Sequence, residues 1–276
     1  MNPASLASET APHPPHDTVR PALNQYMAEP AILVFSKTRS YRHDKGIAGA
    51  DRYFAELADD LNMGFFTTSN AAIFNDEQLA RFDLVIFNNM SGDALSKEQQ
   101  EAFETWFAKG NALVALHSAG DASHSSWKWF DREVIGPEFI GHPADPQFQS
   151  AKLVSLAEQH PIMRGLPSHW IQTDEWYSFE DMEYLAGSVP LIGLDEASYS
   201  PENLVYGDRE DLRMGDKPAD HPIAWARCMG DARAVYSAAG HSYQPYDTPN
   251  YGRFLNNAAS WVLNKNRDRI GCAPSR

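Results

Sequence analysis

The sequence predicts an α/β protein in which parallel strands alternate with helices, and two observations carry this prediction. Short apolar runs at residues 31–35, 82–87 and 112–116 have the length of buried strands, and each ends in polar or small residues. Segments with apolar residues at helical spacing separate these runs. We therefore expect right-handed crossovers and a doubly wound sheet of flavodoxin-like strand order.

The individual elements follow in order along the chain. A helix with apolar positions from Ile47 to Leu61 follows the first strand, and a weak strand at 65–68 and a short helix at 76–81 come next. Ser96 and Gln99 have capping-box spacing at the start of another helix. Beyond residue 121 we expect a helix around 127–135 with a covering loop, strands at 151–156, 170–173 and 189–194, a polar loop at 200–220, a hairpin of 223–228 with 232–238, and a closing helix after Thr248-Pro249.

Length and charge narrow the domain organisation and the class of partner. The 276 residues predict one domain at 31–265, an N-terminal arm at 1–30 and a C-terminal tail at 266–276. Three alternatives are open for the arm: it is disordered, it contacts its own domain, or it contacts a subunit of a homo-oligomer. The formal net charge of −14 disfavours nucleic acid and anionic membranes as partners. No apolar run approaches the roughly 18 residues of a membrane span. A small neutral or cationic molecule fits this charge better.

The cysteines indicate a compartment. Two cysteines are too few for a disulfide framework, and Cys272 lies in a polar tail. Cys228 lies in an apolar strand and is expected to be a small buried hydrophobic residue. The expected compartment is therefore a reducing cytoplasm.

The strand at 112–116 leads directly into His117-Ser118, where an open α/β sheet places its ligand crevice. A sharp turn of the nucleophile-elbow kind needs small residues two positions before and after its apex. Ala115 and Ala119 meet this need around His117, whereas an apex at Ser118 would put a leucine there. His117 is the expected apex, with a locally satisfied histidine and a Ser118 nucleophile as alternatives.

A second polar cluster, Asp174-Glu175-Trp176-Tyr177, follows the strand at 170–173. Carboxylates can move protons or bind hydroxyl groups, and aromatic rings can cover the apolar face of a pyranose. Side chains alternate along a strand, so one carboxylate can face a pocket, and Glu175 is favoured. The alternative is a solvated acidic turn. Trp127 adds a ring near the expected rim.

Five motifs in order resemble the trehalose-utilisation (ThuA) family, over about residues 31–264. They are Leu33–Thr38 with Tyr41–Asp44, Ala115–Ala119, Thr173–Tyr177, His221–Trp225 and Gly240–Ser242. The family is similar in fold to class I glutamine amidotransferases, with histidine where those enzymes have their catalytic cysteine. The resemblance implies a flavodoxin-like three-layer sandwich with a mainly parallel sheet and a role in disaccharide or keto-sugar metabolism. This chain departs from the family pattern at Ala115, where glycine is usual, and in its long loop at 199–220.

The resemblance also implies a composite pocket. Its catalytic residues would be His117, Glu175 and His241, with His117 and His241 moving protons. The expected substrate-binding residues are Arg42, His43, Ser118, Asp121, Trp127, Trp176 and Tyr177. Alternatively, the pocket holds a divalent metal such as zinc, for which histidine and carboxylate are suitable ligands. The ligands would be His43, His117, Glu175 and His241.

Three functions follow from these patterns. The first is an enzyme on a carbohydrate, a hydrolase, lyase or isomerase, that uses acid/base or metal-assisted chemistry. The second is a non-catalytic carbohydrate-binding or regulatory protein. The third is a serine hydrolase that uses Ser118. An amidotransferase or a cysteine peptidase that uses this elbow is disfavoured, because no cysteine is present there.

Overall fold

The computed structural model describes residues 16–202, 204–205, 211–264 and 270–273. The helices are α1 (Asp44–Asp60), α2 (Asp76–Leu79), α3 (Lys97–Ala108) and α4 (Pro249–Val262). The strands are β1 (Ala31–Phe35), β2 (Gly64–Thr68), β3 (Leu84–Asn88), β4 (Ala112–Leu116), β5 (Glu138–Gly141), β6 (Pro143–Asp145), β7 (Gln149–Ser155), β8 (His169–Asp174), β9 (Ser178–Glu180), β10 (Ser188–Asp195), β11 (Leu204–Val205), β12 (Pro222–Met229) and β13 (Ala232–Ser237).

One sheet of nine strands organises the molecule, in the order β2-β1-β3-β4-β13-β12-β10-β7-β8. The first five of these run parallel, and the other four continue the sheet with antiparallel pairing. Strands β5 with β9 and β6 with β11 form two small antiparallel sheets beside it. This architecture confirms the predicted α/β class with a parallel central region.

Neighbouring residues on β3 show how helices cover both faces of the parallel region. The ring of Phe87 lies 4.9 Å from that of Phe103 on α3, whereas Asn88 Nδ2 donates to Ile47 O on α1 at 3.0 Å. Successive side chains of a strand point to opposite faces, so α1 and α3 lie on opposite sides. Strands β1, β3 and β4 are buried throughout, as their apolar sequences predict. The result is the predicted three-layer sandwich.

Local signals account for most of the element boundaries. The capping box of Ser96 with Gln99 is present at the start of α3, and Thr248 precedes Pro249 at the start of α4. The helix expected around 127–135 is present from residue 128, and its larger part, Phe130–Ile135, is π-helical. Gly136, with φ of 105°, ends it in a backbone conformation that favours glycine.

Residues 16–30 run along the surface of their own domain. Their backbone accepts hydrogen bonds from the side chains of α2 and α3, with Gln78 Nε2 donating to Pro21 O at 2.7 Å and Gln99 Nε2 to Asp17 O at 2.8 Å. The Asp17 carboxylate forms an ion pair with Lys37 in the loop after β1. The first 15 residues of the expected arm lie outside the described residues.

The expectation for the cysteines is wrong. Cys228 on β12 and Cys272 form a disulfide with a Cα–Cα distance of 5.6 Å. Residues 270–273 fold back onto the domain, where Trp261 Nε1 donates to Ile270 O at 2.9 Å and His160 Nε2 to Gly271 O at 2.8 Å. Pairing across 44 residues depends on this tertiary contact, which neither cysteine's local sequence indicates. No helix within the described ranges combines the length and the apolar character needed to cross a membrane.

Candidate metal and proton-transfer site

The turn after β4 has the strained geometry of an elbow. His117 has φ of 49°, a left-handed conformation that non-glycine residues seldom adopt. Tyr236 from β13 supports the turn, because its hydroxyl donates to His117 O at 2.9 Å. A Cβ on Gly120 would lie 2.5 Å from the Tyr236 ring, so the turn needs glycine at that position. The fold therefore fixes the His117 side chain at the carboxyl end of the parallel strands.

Four side chains from distant parts of the sequence converge at this turn. They are His43 at the start of α1, His117, Glu175 directly after β8, and His241 in the loop after β13. One ligand atom from each lies within 4.8 Å of the ligand atoms of the others. The Glu175 carboxylate oxygen Oε2 lies 3.2 Å from His117 Nε2 and 3.0 Å from His241 Nδ1. The predicted pocket residues thus form one cluster, of which only His241 is partly exposed.

Strand β8 reaches this cluster although β13, β12, β10 and β7 lie between it and β4 in the sheet. Bulges interrupt the pairing of β10 with β12. At the end of β8, Asp174 Oδ2 accepts a hydrogen bond from Gly240 N at 2.8 Å, and Asp174 Oδ1 accepts one from Glu175 N at 3.0 Å. Asp174 thereby holds Glu175 beside the loop that carries His241. The two adjacent carboxylates have separate partners, as strand alternation predicts.

Hydrogen bonds define which imidazole nitrogens face the cluster. Ala238 O accepts a hydrogen bond from His117 Nδ1 at 2.7 Å, so Nδ1 carries the proton and Nε2 offers a lone pair. His241 Nδ1 lies 3.2 Å from that Nε2 and donates to it. Within the described part of the chain, Glu175 Oε2 and His43 Nδ1 are buried without a hydrogen-bond partner. Several unshared electron pairs therefore point into one small space.

Burial controls the charges of these groups. It lowers the pKa of His43 to about 2, with a further contribution from the charges of His117 and His241. It also lowers the pKa of His117. Burial alone would raise the pKa of Glu175, but the adjacent imidazoles of His117 and His241 bring it well below its ordinary value. The cluster thus combines a carboxylate with two neutral imidazoles.

The second carboxylate oxygen of Glu175 has its own partners in the covering loop. Gln147 Nε2 donates to Oε1 at 2.6 Å, and His142 Nδ1 lies 3.3 Å from the same oxygen. This leaves Oε2 to face the histidines. The local sequence around Gln147 carries no signal that marks it as a site residue.

The cluster can hold a divalent cation. Three imidazoles and one carboxylate are a suitable ligand set for zinc or a similar ion. The unpartnered Glu175 Oε2 would gain a partner, and the bond from His117 Nδ1 to a backbone carbonyl is the outer interaction that orients metal-binding histidines. Binding would displace a proton from His241 Nδ1 or move it to the other ring nitrogen.

The structure places the remaining polar residues expected at the site outside the cluster. Arg42 is exposed and pairs with Asp44, with Nε 2.6 Å from Oδ1. The Ser118 hydroxyl is buried and has no hydrogen-bond partner among the described residues, so none of them activates it as a nucleophile. Asp121 accepts hydrogen bonds from the backbone and hydroxyl of Ser123.

The three expected sugar-binding rings are core residues instead. Trp127 is 3% exposed and stacks on Phe130 at 4.8 Å. Trp176 is 1% exposed and donates to Gln149 O. Tyr177 is 2% exposed and covers the imidazole of His117, with the ring centroids 4.2 Å apart. Residue type alone could not separate these rings from rim residues, because each follows a strand or a loop expected at the rim.

The fold and the site define an α/β sandwich with a histidine at the elbow that follows its parallel strand β4. The model of the ThuA family, described as trehalose utilisation, matches residues 31–262, and the chain belongs to this family. Membership supports a role of the trehalose-utilisation type in general. A search of curated proteins found no match.

Solved structures show the same fold. A putative ThuA-like protein from Bacteroides uniformis is 22% identical with a TM-score of 0.69, over 90% of this chain and 96% of that one. A putative ThuA-like protein from Parabacteroides merdae is 16% identical with a TM-score of 0.58, over 86% and 91% of the two chains. A Salmonella typhimurium protein described as cytoplasmic is 8% identical with a TM-score of 0.51, over 84% and 98%.

Proposed function

We propose that this protein is a metal-assisted enzyme that acts on a disaccharide or a keto-sugar derivative. The observation that carries the proposal is the convergence of three histidines and one glutamate at the strand-end crevice, with ligand atoms within 4.8 Å of one another. The family description supports the carbohydrate class of substrate. A bound divalent cation such as zinc would act as a Lewis acid that polarises a substrate oxygen.

The chain's own residues have separate tasks in this proposal. His43, His117, Glu175 and His241 hold the cation, and the Glu175 carboxylate balances part of its charge. Gln147 keeps the Glu175 carboxylate in place. These residues lie below the surface, so a substrate reaches them from the side of His241, whose side chain is 12% exposed.

Without a bound cation, the proposal is acid/base chemistry, in which His117 and His241 move protons. Their rings are linked by the hydrogen bond from His241 Nδ1 to His117 Nε2 at 3.2 Å. His117 holds its own Nδ1 proton against Ala238 O, so the exchangeable proton of this pair belongs to His241. His241 is the more exposed of the two and is the group that exchanges a proton with substrate.

The test is product formation from trehalose and from its keto derivative, followed by proton NMR with zinc-loaded protein. We expect new sugar signals with the wild type and none above background with His117→Ala. His169→Ala is the control, because His169 is an exposed histidine at the start of β8 and should leave turnover unchanged. Equal turnover by wild type and His117→Ala would contradict the proposal. Sugar binding without any product would identify a carbohydrate-binding protein instead, and the product itself distinguishes hydrolysis, elimination and isomerisation.

The compartment that we propose is the cytoplasm. The sequence favours the cytoplasm, whereas a formed disulfide between Cys228 and Cys272 is typical of an oxidising compartment. A cytoplasmic protein would carry this pair as thiols. Mass spectrometry of protein alkylated in its native cells tests this point. Alkylation of both cysteines would support the cytoplasm, and the absence of any alkylated cysteine would contradict it.

A further inference from the structure

Two aromatic side chains are exposed beside the buried cluster. Tyr41 is 65% exposed and Phe148 is 43% exposed. The Tyr41 ring lies 4.8 Å from that of His43, and the Phe148 ring lies 4.9 Å from that of His241. Single exposed apolar residues are common on protein surfaces. These two differ from that background because each ring contacts a different imidazole of the same site.

The two imidazoles connect these rings into one row. His43 and His241 contact each other edge to face, with centroids 4.5 Å apart. Tyr41 therefore contacts one member of this imidazole pair, His43, and Phe148 contacts the other, His241. The row joins two solvent-exposed aromatic rings through two imidazoles.

The backbone on each side of the row is anchored. Ser91 Oγ donates to Tyr41 O at 2.8 Å, which fixes the loop after β1 to the loop after β3. Next to Phe148, Gln147 donates to Glu175 as described above, and Gln149 Nε2 donates to Ser200 O at 3.1 Å. The chain that carries each ring is thus anchored before a ligand arrives, which reduces the entropy cost of binding.

The geometry points to Tyr41 and Phe148 as a pair of aromatic platforms that bind the apolar C–H face of a pyranose ring at the mouth of the cluster. This inference rests on the proposed carbohydrate function and names the residues that would select the substrate. Aromatic rings bury apolar area and orient a ligand, while its hydroxyl groups remain directed toward polar partners. A cyclic sugar presents a continuous C–H face, whereas an acyclic polyol does not, so the pair should prefer rings.

The experiment is a saturation-transfer NMR titration of the full chain with trehalose, methyl α-D-glucopyranoside and the acyclic polyol sorbitol. The variants are Tyr41→Ala, Phe148→Ala and Phe148→Tyr. Tyr26→Ala serves as the matched control, because Tyr26 is an 83% exposed tyrosine on the N-terminal arm. Zinc content is measured on every sample.

We expect wild-type protein to bind both cyclic sugars more tightly than sorbitol. Each alanine variant of the pair should bind trehalose roughly tenfold more weakly, because truncation removes one ring face. Phe148→Tyr and Tyr26→Ala should bind it as the wild type does, and all variants should keep the zinc content of the wild type.

Unchanged trehalose affinity in both alanine variants would overturn the inference. Sorbitol binding as tight as trehalose binding, or no binding of either cyclic sugar to the wild type, would overturn it as well. These outcomes are distinct from failure of the metal proposal. If the wild type takes up no zinc, and the alanine variants of Tyr41 and Phe148 nevertheless bind sugar more weakly than it does, the metal centre is refuted and the aromatic platforms are supported.

Discussion

Replacing Glu175 with glutamine should remove most of the affinity for zinc. Glutamine keeps the size of the side chain, but it removes the one negative charge among the four residues whose ligand atoms lie within 4.8 Å. Even unit charges 4 Å apart attract by about 4 kcal/mol at an effective dielectric constant of about 20, and a divalent ion at a shorter distance is attracted more strongly, so this figure is a lower bound. Since about 1.4 kcal/mol corresponds to tenfold in affinity, we expect Glu175→Gln to bind zinc on the order of a thousandfold more weakly.

The measurement is competition for zinc against a chromophoric chelator at neutral pH. Glu196→Gln is the matched control, because Glu196 is another glutamate paired with a buried histidine, with Oε1 2.6 Å from His221 Nδ1, and it is not part of the cluster. Glu196→Gln should lower the free energy of unfolding and leave zinc affinity unchanged. Affinity of Glu175→Gln within threefold of the wild type, or an equal loss in the control, would refute the assignment of Glu175 as a ligand.

Three further predictions concern the surroundings of the site and the stability of the fold. Asp174→Asn should weaken zinc binding about 10- to 100-fold, because asparagine cannot accept hydrogen bonds from both backbone amides that the Asp174 carboxylate binds. Calorimetric titration measures this affinity, and an unchanged value would contradict a positioning role for Asp174. Cys272→Ser should lower the free energy of unfolding by about 2–4 kcal/mol in oxidising buffer, and dithiothreitol should abolish this difference from the wild type. If variant and wild type are equally stable in both buffers, Cys228 and Cys272 are unpaired. Burial alone would lower the pKa of His124, but the hydrogen bond and charge of Asp131 raise it above 6.5, so the pair stabilises the fold below that pH and loses this effect as pH rises through the folded-state pKa. The difference in unfolding free energy between wild type and His124→Gln should therefore shrink from about pH 6 to about pH 9, the range in which histidine titrates. A difference that stays constant over this range would refute the prediction.

The parallel half of the fold could be predicted from the sequence because its signals are local. Each buried strand reads as an apolar run, and the capping pair Ser96 and Gln99 marks the start of α3. Small residues around His117 predict the elbow, and the structure gives this residue a left-handed backbone. The path of the antiparallel half was not predictable, because Glu175 reaches His117 although four strands lie between β8 and β4, and this contact joins segments distant in sequence.

The remaining differences between the predicted and the observed site arise from the tertiary surroundings of individual side chains. Trp127 and Trp176 are of the residue type that often lines sugar-binding sites, but both are buried. Their burial depends on which elements pack over them. Phe148 has no motif around it and nevertheless contacts His241. The disulfide of Cys228 likewise depends on a tail that returns to the domain. These contacts are long-range in sequence, so no window of the chain contains the information that specifies them.

The presence of a cation among the four converging side chains is the central claim, and anomalous X-ray scattering at the zinc edge tests it most directly. Crystals of zinc-loaded protein should show one strong anomalous peak per chain, at about 2.0–2.2 Å from nitrogen atoms of His43, His117 and His241 and from an oxygen of Glu175. A peak at any other position, or no peak at these residues in protein that carries zinc, would contradict the claim.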